Sequence, residues 1–227
     1  MITNYSNYPD YEEILSVNAK KNSKNKNINI KFISNFNDSI LINYIKYYLK
    51  KKYYNPKFSI SEYDQITQEI LKLNNRIKNE FLVVFQDISF YDDLSAIHLI
   101  EYLNSFQNNL HVLESSKNFK NLNVVINKMP YPLFLRNFSI KDQKKICSKI
   151  KKFNLLVEKI SNENKNVKCF DLEKTFFEIG YINSINKKLY FLYKSPYFEM
   201  SMHKISNEIS KLLNSFLKTR KKCLVVD

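Results

Sequence analysis

At 227 residues, 44% apolar and 15% aromatic, the chain can bury the core of one large domain, or of one domain plus a fragment. Its 36 basic against 22 acidic residues leave a formal charge of +14, which alone would point to nucleic acid or an anionic membrane surface. Only Arg76, Arg136 and Arg220 are arginine, glycine occurs once, and Lys, Asn, Ile and Tyr abound; AT-rich coding produces this pattern, and scattered lysines describe a solvated surface better than a nucleic-acid stripe.

The elements follow in chain order. Pro9 to Lys20 predicts a helix with Ile14, Leu15 and Val17 on one face, and Asn22 to Asn27 a Lys/Asn/Ser linker. Strand one is expected over Ile30 to Ser34, then a helix from Asp38 to Lys52 with Leu41, Ile45 and Leu49 inward. A second strand, Lys57 to Ser61, precedes a helix from Tyr63 to Asn74. Glu80 to Phe85 is a strong third strand, Asp92 to Glu114 is largely helical, and Leu122 to Asn127 is a fourth strand. A Lys-rich helix over Ile140 to Asn162 leads to a fifth strand, Val167 to Asp171. Leu189 to Tyr193 reads as weakly extended, and Met202, Ile205, Ile209, Leu213 and Phe216 mark a last amphipathic helix.

Short apolar strands alternating with helices of three or more turns predict βαβ units. The fold class is therefore α/β: a three-layer α/β/α, mostly parallel five-stranded sheet of flavodoxin-like kind. Ligands of such sheets sit at the carboxyl ends of the strands, here Ser34 to Asp38, Gln86 to Phe90, Asn127 to Tyr131 and Asp171 to Lys174. After the last helix, basic Arg220 to Lys222 leads into the apolar Cys223 to Val226 and then Asp227. This run reads as a buried parallel strand, either the sixth of the same sheet or the first of another.

Cys147, Cys169 and Cys223 have no metal-like spacing and suit reduced thiols. The first ten residues do not form a signal peptide, and no apolar stretch approaches the ~18 residues of a membrane span. The expectation is a cytoplasmic protein without a membrane partner.

Four blocks, Lys31-Phe-Ile-Ser-Asn-Phe36, Tyr63-Asp-Gln-Ile-Thr-Gln-Glu-Ile70, Leu189-Tyr-Phe-Leu-Tyr-Lys-Ser-Pro-Tyr197 and the closing Arg220-Lys-Lys-Cys-Leu-Val-Val-Asp227, follow one another in an order and spacing that resembles the N-terminal region of the FkbH-like proteins. That family joins an SGNH-hydrolase-like α/β domain to a phosphatase-like domain of the haloacid dehalogenase type. The resemblance runs over about residues 9 to 227. It implies an N-terminal helix and linker over 1–27, an SGNH-like domain over 28–219, and over 220–227 the first strand of a catalytic domain that does not follow. Asp227 then matches that domain's nucleophile, which attacks phosphorus to form an aspartyl-phosphate, and would help hold Mg²⁺ in the complete protein. The implied partners are an acyl carrier protein or a phosphorylated small-molecule donor, in polyketide or surface-polysaccharide biosynthesis, with glyceryl transfer the best-known reaction.

Active SGNH enzymes need a Gly-Asp-Ser after strand one, an Asn-Asp after strand four and an Asp-x-x-His before the last helix. Here strand one runs into Ser34, Asn35 and Phe36, with Phe36 at the nucleophile's place. Asn127 keeps the strand-four position, followed by Lys128. The block Lys194 to Tyr197 stands where the histidine should be, and His203 falls later, inside the helix. This predicts a catalytically silent positioning domain with Ser34, Asn35, Asn127, Lys194 and Tyr197 as ligand-binding candidates. Lys194, flanked by tyrosines, suits a phosphate or phosphopantetheine arm. The rivals are a diverged hydrolase or acyltransferase using Ser34 or Ser39 with Asn127, and an anion- or nucleic-acid-binding protein. His98 and His111 read as ordinary helix residues, and Asp92 and Asp93 as N-terminal caps.

Overall fold

Five strands pair side by side: β1 (Lys26–Ser34), β2 (Tyr54–Ile60), β3 (Phe81–Phe85), β4 (Asn123–Lys128) and β5 (Val167–Asp171). Their spatial order is β2-β1-β3-β4-β5, and every pairing is parallel. The computed structural model describes residues 8–20, 23–61, 65–73 and 81–217. The central strand β3, Phe-Leu-Val-Val-Phe, is wholly buried, as expected where helices cover both faces.

Between and around the strands lie α1 (Tyr11–Ala19), α2 (Ser39–Lys50), α3 (Ile66–Lys72), α4 (Ala96–Ser115), α5 (Ile140–Glu163), α6 (Leu172–Ile179), α7 (Lys187–Tyr193) and α8 (Glu199–Leu217). The step from β1 to β2 runs one way across the sheet and the later steps run the other way. Right-handed crossovers therefore set α2 on one face and α3, α4 and α5 on the opposite one. The last helix, α8, packs along α2, with α1 against α2 and α6 against α8. The result is the three-layer α/β/α arrangement, with strand order reversing between β1 and β3.

Two buried serines line the seam between α8 and α2. Ser206 donates to the carbonyl of Leu41 at 3.4 Å and Ser210 to that of Ile45 at 3.5 Å. Their spacing of four keeps both on one helix face. One turn earlier, buried His203 ties three elements together. Its Nε2 lies 3.1 Å from the Pro9 carbonyl oxygen and its Nδ1 3.0 Å from the Tyr48 hydroxyl. A carbonyl only accepts, so Nε2 carries the hydrogen and Nδ1 accepts from Tyr48. Desolvation lowers the imidazole pKa from 6.5 to about 4, and the ring stays neutral.

Several expectations need correction. Leu189 to Tyr193 is helical within α7: the Asn186 side chain accepts from the Leu189 amide and caps it, and that cap outweighs the strand preference of a Tyr/Phe-rich run. Downstream of β5, α6 was not foreseen. Asp171 ends the strand and also caps the helix, its carboxylate accepting from Lys174 N. Strand β1 begins inside the expected linker, and β2 begins early enough to include Pro56, which an edge strand tolerates. Helix α4 starts at Ala96 behind Ser95, whose hydroxyl accepts from His98 N. Asp92 therefore caps nothing and pairs with Lys187 instead. The segment Cys223 to Asp227 lies outside the described residues.

Candidate functional site at the carboxyl edge of the sheet

The residues that leave β1, β3 and β4 converge. Asn35 follows β1 directly and is fully buried. Its Nδ2 donates to the Asp87 carbonyl at 2.6 Å, and its Oδ1 accepts from the Asp87 amide at 3.0 Å. Asn127, in β4, treats the backbone of the preceding residue alike: Oδ1 accepts from Gln86 N at 2.8 Å and Nδ2 donates to Gln86 O at 2.7 Å. A primary amide has the donor–acceptor pattern of a peptide group, so each asparagine extends the ladder on either side of β3 by one unit. Both amides are consumed in holding the chain where it leaves β3.

The nucleophile's position is filled with rings. Phe36 is buried and meets Phe85, Phe90 and Tyr197 edge-on, with centroids 5.1, 6.1 and 5.3 Å away. Beside it, the Ser34 hydroxyl lies 2.8 Å from the Phe36 carbonyl oxygen and 2.9 Å from Asp38 Oδ2. The one hydroxyl proton is shared between these two acceptors, of which the carboxylate is the stronger. Burial, the largest influence, raises the Asp38 pKa from 3.8 to about 6.

Asp87 is the second buried acid. Its Oδ1 accepts from the Ser89 amide at 2.9 Å and the Ser89 hydroxyl at 2.7 Å, and its Oδ2 from the Tyr197 hydroxyl at 2.8 Å. Tyr181 donates to Ser89 Oγ at 3.2 Å. Desolvation pushes the Asp87 carboxyl up and these hydrogen bonds oppose it. Burial and the neighbouring carboxyl push the Tyr197 phenol well above its ordinary range. Tyr197 is thus a buried strut whose hydroxyl is already engaged. The adjoining Gln86 side chain is buried, and neither its Oε1 nor its Nε2 has a hydrogen-bond partner among the described residues.

Lys194 caps α7 in the left-handed conformation (φ 56°). Its carbonyl accepts from Asn37 N at 2.8 Å, which fixes the Lys194 to Tyr197 block over the end of β1. Its ammonium group stands 4.9 Å from the centre of the Tyr190 ring and faces solvent.

Ser34, Asn35, Asn127 and Tyr197 therefore gather around the exit of β3, with the Lys194 backbone at the rim and its charge turned outward. Ser39 lies at the start of α2, where its amide donates to Asn37 Oδ1 at 3.1 Å. His98 is exposed, 3.2 Å from Ser95 Oγ, and His111 is exposed on α4. Asp227 lies outside the described residues. The sequence reading pointed to the segments that hold Asp38, Asp87 and Ser89 without singling these residues out, and it missed Tyr181; the signal available was the polar run Gln86-Asp87 directly after the most apolar strand. Among the described residues no group of three or more His, Cys, Asp or Glu side chains could hold a metal ion. No helix among them is long and apolar enough to cross a membrane.

Fold and site together describe an α/β domain whose carboxyl edge is closed by its own side chains. No family model and no curated protein matches the sequence. Among solved structures, the N-terminal part of the protein BF1531 from Bacteroides fragilis, described as containing a phosphatase domain and complexed with Mg, superposes with a TM-score of 0.78 at 12% identity, over 95% of this chain and 59% of that one. The chain thus spans about three fifths of the length of that solved chain. The salicylyl-acyltransferase SsfX3 from a tetracycline biosynthetic pathway aligns at a TM-score of 0.47 and 10% identity, over 87% of this chain and 56% of that one, too loosely to bear on function. The first likeness establishes the fold.

Proposed function

We propose that this chain is the substrate- or carrier-positioning domain of an FkbH-like phosphatase or acyl (glyceryl) transferase, and that it is catalytically silent by itself. The observation that carries the reading is the use of Asn35 and Asn127: each spends its amide on the backbone after β3, leaving no amide to stabilise an oxyanion. Phe36 fills the place of a nucleophile, and His203 is engaged at both ring nitrogens in the interior. The blocks from Lys31 to Tyr197 supply the family resemblance, and the shape shared with a protein that contains a phosphatase domain supports it.

In this reading the chemistry belongs to a further domain, where Asp227 would be the nucleophile and one ligand of Mg²⁺. The partners would be an acyl carrier protein or a phosphorylated three-carbon donor, met on the surface around Lys194. A fluorophosphonate serine probe, followed by peptide mapping, tests the silent-domain reading. No labelling of Ser34, Ser39 or Ser89 is expected; stoichiometric labelling of any of them would replace it with the hydrolase reading. A holo acyl carrier protein titrated against wild-type chain and Lys194→Ala tests the positioning role, with weaker binding by the variant expected and equal binding counting against it.

A further inference from the structure

We propose that a small cavity beside the exits of β3 and β4 binds a carboxylate or phosphate monoester bearing a short apolar group, with Arg136 as its anchor. The cavity encloses about 210 Å³ and is walled by Ser89, Leu133, Arg136, Tyr181, Ile182 and Lys187 among others. At ~30 Å³ per water of liquid volume, that is room for about seven waters, enough for an anionic headgroup and a few carbons.

The local backbone explains the wall. Leu133–Asn137 is a 3₁₀ turn that buries Phe134 and Leu135. With three residues per turn, positions i and i+3 eclipse, so Leu133 and Arg136 stand one above the other on the open side. Across the cavity, Ser89 and Tyr181 are held by their mutual hydrogen bond. The rim is apolar, with Leu133 47% and Ile182 81% exposed, which suits a hydrocarbon group next to a charge.

Composition singles out Arg136. Lysine predominates almost throughout the chain, and only three of its 36 basic residues are arginine. Arg136 is the one among the described residues, and it has no ion-pair or hydrogen-bond partner there. A planar guanidinium binds carboxylate or phosphate bidentately, as an ammonium does not. Lys187 is paired with Asp92, so neither adds much net charge. The acids acting on Tyr181 are Asp87 and Glu173; neither lines the cavity, and the Asp87 carboxylate is engaged by Ser89 and Tyr197. The Arg136 guanidinium is therefore the unpaired charge at an apolar cavity. The inference goes beyond the positioning function and stands without it.

Isothermal titration of the full chain with butyl phosphate, butyrate and inorganic phosphate tests it. Saturable 1:1 binding of butyl phosphate or butyrate is expected, and the tighter of the two identifies the headgroup. Arg136→Ala should weaken that binding by about tenfold or more, and Arg136→Lys by less, since bidentate geometry is lost but charge is kept. Ile182→Asn should weaken the butyl ligands and leave inorganic phosphate unchanged. Both side chains are exposed, so melting temperatures should stay at the wild-type value. Absence of saturable binding, wild-type affinity in Arg136→Ala, or an equal loss in the control Lys204→Ala would overturn the proposal, the last by showing diffuse charge attraction. Inorganic phosphate binding as tightly as butyl phosphate would overturn the apolar half.

Discussion

Asn127→Ala is expected to lower the unfolding free energy by about 2–4 kcal/mol, because it strands the Gln86 amide and carbonyl together in a dry environment, at about 1–3 kcal/mol for each unpaired group. Both residues are 0% exposed, so water cannot replace the lost partner. Asn35→Ala should behave alike through Asp87 N and O. The two clamps grip consecutive residues and meet at the peptide unit between Gln86 and Asp87, so the double variant should lose less than the sum of the singles. Asn127→Asp is the sharper control. It keeps an acceptor for Gln86 N but sets a carboxylate against Gln86 O, and should be less stable than Asn127→Ala at neutral pH and recover on acidification. Urea unfolding measures all four. An Asn127→Ala variant within about 0.5 kcal/mol of wild type, the range of an indifferent substitution, would show that the clamp is not structural. The experiment also separates two roles for one residue: an oxyanion-hole asparagine can be removed with the fold intact, whereas a staple cannot.

The second large effect is hidden in the wild type, because Asp38 and His203 pull stability in opposite directions over one pH window. Asp38 has its folded pKa raised from 3.8 to about 6. Its contribution is full below about pH 3.8 and is lost as pH rises through 6. The shift is worth about 3 kcal/mol at 1.36 kcal/mol per unit. His203 has its folded pKa depressed from 6.5 to about 4. Its contribution is full above 6.5 and is lost as pH falls to 4, again by about 3 kcal/mol. Between pH 4 and 6.5 the two nearly cancel. Stability measured by urea unfolding should separate them. Relative to Asp38→Asn, the wild type should lose stability steadily from pH 4 to 6.5. Relative to His203→Gln, it should gain stability over the same range. Taking each difference against wild type removes the other carboxylates, including Glu69 and Asp171, whose pKa values are lowered by their lysine partners against the effect of burial. Differences that do not change with pH would show that these two groups are solvated.

The sheet was legible because β3 and the centre of β4 are short apolar runs bounded by polar residues, and alternation with helices dictated parallel pairing. The carboxyl edge was likewise the right place to look, and Ser34, Asn35, Asn127 and Tyr197 do meet there. Their use was not legible. The partners of Asn35 and Asn127 are backbone groups 52 and 41 residues away, and a peptide unit leaves no trace in side-chain identity. Tyr197 was read as a ligand contact because it neighbours Lys194, although its hydroxyl is turned inward to Asp87. α6 and α7 were lost for a local reason: in each, one polar cap, Asp171 or Asn186, decides for helix, while the residues that follow carry as much strand as helix preference.

The serines between α8 and α2 show how far amino-acid composition reaches into the packing of a protein. Close helix contacts ordinarily draw on glycine and alanine, yet this chain has one glycine and two alanines. Serine is the small side chain that remains plentiful, and a buried hydroxyl needs an acceptor. Ser206 and Ser210 find theirs in carbonyls of the facing helix. What could be a greasy contact is thereby a hydrogen-bonded one, and the spacing and rotation of the two helices are tied to the reach of a hydroxyl. Exchanging these serines for alanine one at a time would remove at each step a polar group together with its need for a partner.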